Sequence, residues 1–488
     1  MVATFCVAQT ATPAKPVGKP TVSTGSKLPI IPVTTYDQIK APKLPDFHPQ
    51  VPERFVLPNG MVVFLQVDHE LPLIDGFVRI RGGAREVPTT KAGLMDLYGD
   101  VWRTGGTKSK TGDELDDFLE ARAAKVEADA GLDSTALSFS CLKNDFDSVF
   151  RVFVDVLRAP EFRESKLELT RQQMMTAISR RNEDVDGVAG REAQKIGYGA
   201  DSPYARVPEY WTVAAVTRQD LIDWHKQHVA PKNIILGISG DFDAAKMKTL
   251  LNELFADWQA GARTEPSAVM VPAPKPGIYF ANKEDVNQSQ IQIVAAGIRR
   301  DDPDFFAVRV LNEVLSGGFA SRLIKELRTR QGLAYSVDGG VESAWDHPGL
   351  LRLSMGTKSA TTVQAVQGMK TEMERLFKQP PTDKEIQQAK DQILNSFIFR
   401  FDSMNKILQE EMLYEYYGFP LDYLDKYRAN IEKITAADVS RAAKRLIETN
   451  KFAVLVVGNE KEFTTPLSTL GPVTKVDITI PEIPPTGK

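Results

Sequence analysis

Cysteine and histidine are scarce in this chain. Two cysteines, Cys6 and Cys141, in 488 residues make neither a disulfide framework nor a cysteine-based zinc cluster. Five histidines (His48, His69, His225, His228 and His347) leave few candidates for imidazole catalysis or metal binding. No apolar run reaches the roughly 18 residues of a membrane-spanning helix, so none is expected. Excess positive charge is also missing: 60 Lys and Arg stand against 64 Asp and Glu, which excludes the strongly basic footprint of a typical nucleic-acid binder. What is present is a globular balance, 42% hydrophobic and 25% charged, in a chain long enough to bury full cores without disulfides or metals.

The first eleven residues, MVATFCVAQTA, read as a trimmed secretory signal or a frayed terminus, and nine prolines between Pro13 and Pro52 predict an extended arm. On that basis the expected compartment is the periplasm or the exterior, with the cytoplasm as the alternative. From Arg54 the pattern becomes that of a folded domain. FVLPNGMVVFLQVD predicts two short strands around a turn, and LIDGFVRIRGG a third. Thr111 to Glu114 has capping-box form and opens a predicted helix over 111–124. Further helices are predicted over 91–102, 146–158 and 164–183, and NIILGISGD reads as a buried strand.

Residues 262–276, rich in Pro and Ala, form the clearest boundary, and beyond it the order of elements repeats. ESKLELTRQQMMTAI (164–178) aligns with TDKEIQQAKDQILNSF (382–397), placing Arg171 opposite Lys390. The predicted class is therefore α+β: two duplicated halves of about 200 residues, 54–261 and 277–463, each an antiparallel-rich sheet covered by helices. Residues 464–488 read as a Pro-rich tail.

Four strings, in order, carry a resemblance: FVLPNGMVVFL, KAGLMDLYGDVWRTGGT, the stretch SPYAR to GISGDFD, and SGGFASRLIKELRTRQGLAYSV. Together they resemble the pitrilysin/insulinase family of zinc peptidases, the inverted zincins, and within it the bacterial two-domain branch related to mitochondrial processing peptidase. The resemblance implies a clamshell-type assembly. It also implies an H-x-x-E-H helix in the first half, whose two His bind zinc and whose Glu activates water, with a further Glu ligand on a later helix. Here the matching string is Met95-Asp96-Leu97-Tyr98-Gly99-Asp100, so Asp96, Gly99 and Asp100 stand at the three motif positions. Ala177, beside Met175 and Thr176, falls near the distal ligand.

Two carboxylates at i and i+4, without imidazole or a third ligand, make a poor zinc site, and the general base is absent. No metal and no other cofactor is expected in this chain. A surface position would tolerate Gly99, at about 1 kcal/mol relative to Ala. His225 and His228 form an H-x-x-H pair on a helix, and the reading preferred for them is structural, at a helix C-terminus.

The second half keeps Leu327-Arg328-Thr329-Arg330-Gln331-Gly332-Leu333-Ala334-Tyr335-Ser336. By the resemblance, Arg328 and Tyr335 are the pair that grips substrate and stabilises the oxyanion at a zinc site. A chain with this pair but no zinc motif resembles the non-metal subunit of a heteromeric peptidase. The implied partner is a homologous H-x-x-E-H subunit carrying the zinc, the implied substrates are unfolded peptides, and the isolated chain is expected to be inactive. The alternative is a structural paralogue like the core proteins of respiratory complexes.

Overall fold

The structure of the chain, a computed structural model, describes residues 50–482 apart from residue 402. The signal-like segment and the Pro-rich arm up to residue 49 lie outside the described residues. The first half opens with β1 (Glu53–Val56), β2 (Val62–Val67) and β3 (Leu73–Arg81), followed by α1 (Leu94–Thr104) and α2 (Gly112–Glu120). The hairpin β4 (Lys125–Ala130) and β5 (Ser134–Leu142) comes next. Helices α3 (Phe146–Arg158), α4 (Glu164–Arg180), α5 (Val185–Tyr198), α6 (Tyr210–Ala214) and α7 (Arg218–His228) lead to β6 (Ile234–Gly240) and α8 (Ala244–Phe255). The capping box at α2 forms as expected: the Glu114 amide donates to the Thr111 hydroxyl at 3.2 Å, and the Thr111 amide to the Glu114 carboxylate at 2.7 Å.

In the second half, β7 (Gly277–Asn282), β8 (Gln288–Ala296) and the short β9 (Ile298–Arg299) precede α9 (Phe305–Ser316). Strands β10 (Val337–Val341), β11 (Ser343–Ala344) and β12 (Leu350–Lys358) follow. Then come α10 (Thr362–Lys378), α11 (Asp383–Arg400), α12 (Met404–Tyr417), α13 (Tyr423–Lys433) and α14 (Ala436–Leu446), with β13 (Ala453–Gly458) and β14 (Val473–Lys475).

Two six-stranded sheets result, ordered β1-β2-β6-β3-β5-β4 and β10-β12-β8-β13-β7-β14. Five of the six strands match one for one, β2-β6-β3-β5-β4 with β7-β13-β8-β12-β10, with one parallel pair among the five in each, β2 with β6 and β7 with β13. The sixth strand breaks the symmetry. In the first half it is the hairpin strand β1, and in the second it is β14, which lies parallel to β7. The segment read as a tail therefore contributes a strand, because Val473 to Ile480 carries no proline and alternates apolar with polar residues.

The duplication extends to single interactions. Arg171 on α4 donates to the carbonyls of Val213 and Val216, just before the Thr217–Asp220 capping box of α7. Lys390 on α11 donates to the carbonyls of Glu432 and Ile434, just before the Thr435–Asp438 capping box of α14. Both cations satisfy chain-end carbonyls at the same corner of each half.

Each half covers its sheet partly with its own helices and partly with one from the other half. Helix α5 lies on β8 and β13, and Val188, Ala189 and Ala193 pack with Val294, Leu350, Leu455 and Val457. Helix α12 lies on β2, β3 and β6, and Leu408, Met412 and Tyr416 pack with Phe64 and Ile235. Glycine permits the approach: a Cβ on Gly237 would sit 2.3 Å from the Met412 sulfur. With both faces covered, β6 and β13 are buried along nearly their whole length. Neither α5 nor α12 was expected from the sequence pattern.

Candidate functional site

Helix α1 carries Asp96, Gly99 and Asp100, the three positions that the resemblance aligns with the motif. Leu94, Met95, Leu97, Tyr98, Val101 and Trp102 face the core, which leaves Asp96 and Asp100 as exposed carboxylates one turn apart. Desolvation pushes both carboxyl pKa values above the ordinary range, and the charge of Asp100 adds to the rise at Asp96. No cation contributes to either shift.

Gly99 is buried, contrary to the surface position expected from the sequence. A Cβ there would lie 3.1 Å from the Ala130 Cβ and 3.2 Å from its backbone nitrogen, because α1 runs across the edge strand β4 at this point. The α1–α4 packing brings Asp96 and Ala177 to one cavity of about 500 Å³, walled also by Met174, Ile178, Val207 and Pro208. Two of the four motif positions thus share a cavity, while Asp100 does not line it.

This donor set does not fit zinc. It offers one carboxylate in the cavity, a second one turn away, an alanine and a glycine, with no imidazole among them. Among the described residues no group of three or more His, Cys, Asp or Glu could hold a metal ion.

The remaining histidines are dispersed. His225 is enclosed by Trp102 and Phe162, with its Nδ1 2.9 Å from the Tyr98 hydroxyl, and burial pushes its pKa down to about 3. His228 stacks on Trp224 with ring centroids 3.8 Å apart. The pair serves the core, in line with the structural reading. His69 and His347 bond Asp241 and Asp346, at 2.6 and 2.8 Å, and His48 lies outside the described residues. Tyr98, which lies between the aligned positions, was not singled out from the sequence.

In the second half the structure brings Arg328 and Tyr335 together. The segment Ile324–Arg330 is a π-helical turn: the Gln331 amide reaches back five residues to the Glu326 carbonyl, and the Leu333 amide reaches back six to Leu327. Leu327 anchors the turn in the core. The half-buried Arg328 guanidinium then lies between two rings, 5.4 Å from the centroid of Phe319 and 5.5 Å from that of Tyr335. Both rings face outward, Phe319 being 77% exposed and Tyr335 86%. Arg330 and Arg375 occupy Glu326, and among the described residues Arg328 has no carboxylate partner. The place of Phe319 beside Arg328 depends on the turn geometry.

Family models match both halves: "Insulinase (Peptidase family M16)" over residues 77–199 and "Peptidase M16 inactive domain" over 215–393. The chain belongs to peptidase family M16. A relative from Helicobacter pylori, named non-peptidase homolog YmxG, is 25% identical over 410 residues, spanning 82% of this chain and 92% of that one. An uncharacterized zinc protease of Streptomyces coelicolor is 23% identical over 371 residues, spanning 73% and 79%. Among solved structures, a peptidase M16 inactive domain from Pseudomonas fluorescens superposes with a TM-score of 0.76 at 21% identity, covering 86% of this chain and all of that one. A Helicobacter pylori protease gives 0.74 at 18% identity, covering 84% and all of its own length. The M16 fold is thus shared over both halves. The relatives' names divide between zinc protease and non-peptidase.

Proposed function

We propose that this chain is the non-metal subunit of a heteromeric M16 peptidase, presenting Arg328 and Tyr335 to the zinc site of a homologous H-x-x-E-H subunit. The reading is carried by Arg328, a guanidinium with no acid partner among the described residues, framed by two outward-facing aromatic rings. A guanidinium and a phenol are both donors suited to an oxyanion, and a donor of this kind is worth about 2.7–4 kcal/mol in the transition state. The rings supply apolar area for a second chain to cover. In this scheme the zinc and the water-activating Glu belong to the partner, and unfolded peptides are the substrates.

The test is peptide cleavage by this chain, by a candidate H-x-x-E-H partner, and by their equimolar mixture, each with zinc. Only the mixture should cleave efficiently, and Tyr335→Phe should slow it roughly 100-fold or more while the complex still forms. A second reading, a non-catalytic assembly protein, has its own support in the missing metal donors and in the Helicobacter pylori relative named as a non-peptidase. It becomes the better description if the mixture cleaves no faster than the partner alone.

A further inference from the structure

The segment that begins with β14 crosses from one half to the other. It pairs with β7 in parallel at the outer edge of the second sheet, Val473 opposite Ile278 and Lys475 opposite Phe280. The Val476 N–H then donates to the Phe280 carbonyl at 2.8 Å. Val476, Ile478 and Ile480 are half-buried, while Asp477 and Thr479 between them are exposed, the alternation of an extended strand with one covered face. Val476 and Ile478 pack on the cluster that α5 forms with β8 and β13, and Ile480 packs on the core of the first half. Asn182, in the turn between α4 and α5, donates its amide to the Ile478 carbonyl at 2.6 Å. The side-chain oxygen of Asn182 accepts from Arg191 at 2.7 Å, so the first half itself aims that donor. The slot is thus built by other elements: β7 is held in its sheet by six register pairs with β13, against three with β14. In the first half the matching edge of β2 is closed by its sequence neighbour β1. No local strand does this for β7, which follows the Pro-rich residues 262–276.

We propose that residues 473–480 form a releasable strap, which leaves β7 and the α4–α5 turn as a unit while the rest of both halves stays folded. The groove it uncovers takes the same sequence in trans, from a second copy of the chain. Release is carried by the short ladder and by side chains that stay half exposed, features of the segments that open locally at low cost. An open β7 edge offers a row of unpaired N–H and C=O groups, and such an edge pairs with an extended segment through the main chain. The pockets filled here by Val476, Ile478 and Ile480 select apolar residues at every second position, and the identical segment of another copy meets both requirements. In its own chain the strap competes at an effective concentration of about millimolar, so it shields the groove until it is released. Neither Arg328, Tyr335 nor a zinc-bearing partner enters.

Fluorescence anisotropy tests it, with a labelled synthetic peptide of residues 472–482 and the full chain. The full chain carrying Ile478→Asp and Ile480→Asp, whose strap is expelled, should bind the peptide. The unsubstituted chain should bind it about tenfold or more weakly, because its own strap competes. Adding Asn182→Ala to the opened chain should weaken binding about threefold or more, through the lost bond to the Ile478 carbonyl. The proposal is overturned if the opened chain, folded by circular dichroism, fails to bind at millimolar peptide, or if the unsubstituted chain binds equally well. It is equally overturned if a peptide carrying Ile478→Asp binds as well as the natural sequence. Native-state hydrogen exchange of the unsubstituted chain is the second measurement, and it stands even if the opened variant folds poorly. The Val476 amide should exchange with a urea dependence below about half that of the β13 amides, and a shared dependence would make the strap part of the global unit and overturn its release.

Discussion

Replacing Arg85 with methionine should loosen the two halves from each other. Arg85 follows β3 in a turn of the first half, and its side chain is only 4% exposed. One guanidinium nitrogen lies 2.7 Å from Asp346 of the second half and 3.2 Å from Asp133 of the first. Another bonds the Ser267 carbonyl in the linker, and Glu86 is 3.5 Å from Nε. Removing this cation leaves three carboxylates facing one another without it, and breaking a buried pair in this way costs about 3–5 kcal/mol. The variant Arg85→Met/Asp346→Leu should recover part of that loss, because it also removes an orphaned charge, with a coupling of about 1–3 kcal/mol.

Acid should weaken the same junction. Burial raises the Asp346 pKa, but bonds from His347 and Arg85 outweigh it and hold it at about 2. Its contribution, about 2 kcal/mol, is present above the unfolded value near 4 and is lost as the pH falls from there toward 2. Arg85→Met should flatten that acid limb. Urea midpoints followed by circular dichroism and by tryptophan fluorescence measure both effects, and separation of the two curves would report the halves parting. A loss below about 1 kcal/mol with coincident curves would refute the idea that Arg85 joins the halves.

Three further outcomes are expected. Carbon-13 histidine spectra should show His225 neutral down to about pH 4, since burial holds its pKa near 3. The unfolded chain takes up that proton below about 6.5, so stability should fall by about 2 kcal/mol between pH 6.5 and 5, and His225→Gln should remove most of this slope. Met412→Ala, at the contact of α12 with β6, should cost about 2–5 kcal/mol, and hydrogen exchange should quicken in β2 and β6 although the substitution lies in the second half. Gly99→Glu should destabilise by about 1–3 kcal/mol through its collision with Ala130 and should bring no zinc by elemental analysis. Zinc uptake by that single variant would overturn the donor argument.

Much of the scaffold was legible in the sequence because the signals were local. Strand β3 alternates, β6 is a short apolar run with turn residues on both sides, and the cap at Thr111 satisfies its own helix end. Helices α5 and α12 were missed for a physical reason. Each finds its apolar partner on the other half's sheet, and three Gly and two Ala among the 14 residues of α5 thin the helical stripe. Strand β10, VDGGV, is disguised by two glycines that weaken any strand pattern. At the site, Arg328 and Tyr335 came from a spacing that matched a resemblance, and the structure supplies their contact. The shared cavity of Asp96 and Ala177 was not legible, since it exists only once α1 packs on α4.

The two halves part ways most clearly where a helix meets the edge strand, and this bears on what each half can hold. Helices α1 and α9 both run into a Gly-Gly pair, which sets Asn312 opposite Asp100. In the second half the Asn312 amide donates to the Val341 carbonyl and accepts from its N–H, both at 2.9 Å, and the Ser316 hydroxyl donates to the Gly339 carbonyl. The outward edge of β10 is thus closed by its own chain, and an added peptide strand would have to displace those bonds. In the first half α1 meets β4 through the bare contact of Gly99 with Ala130, and among the described residues no side chain of α1 bonds the β4 backbone. Its carboxylates at 96 and 100 turn outward instead. The β4 edge of the first half thus carries no such closing bonds among the described residues, while the second half offers side-chain donors at the π-helical turn.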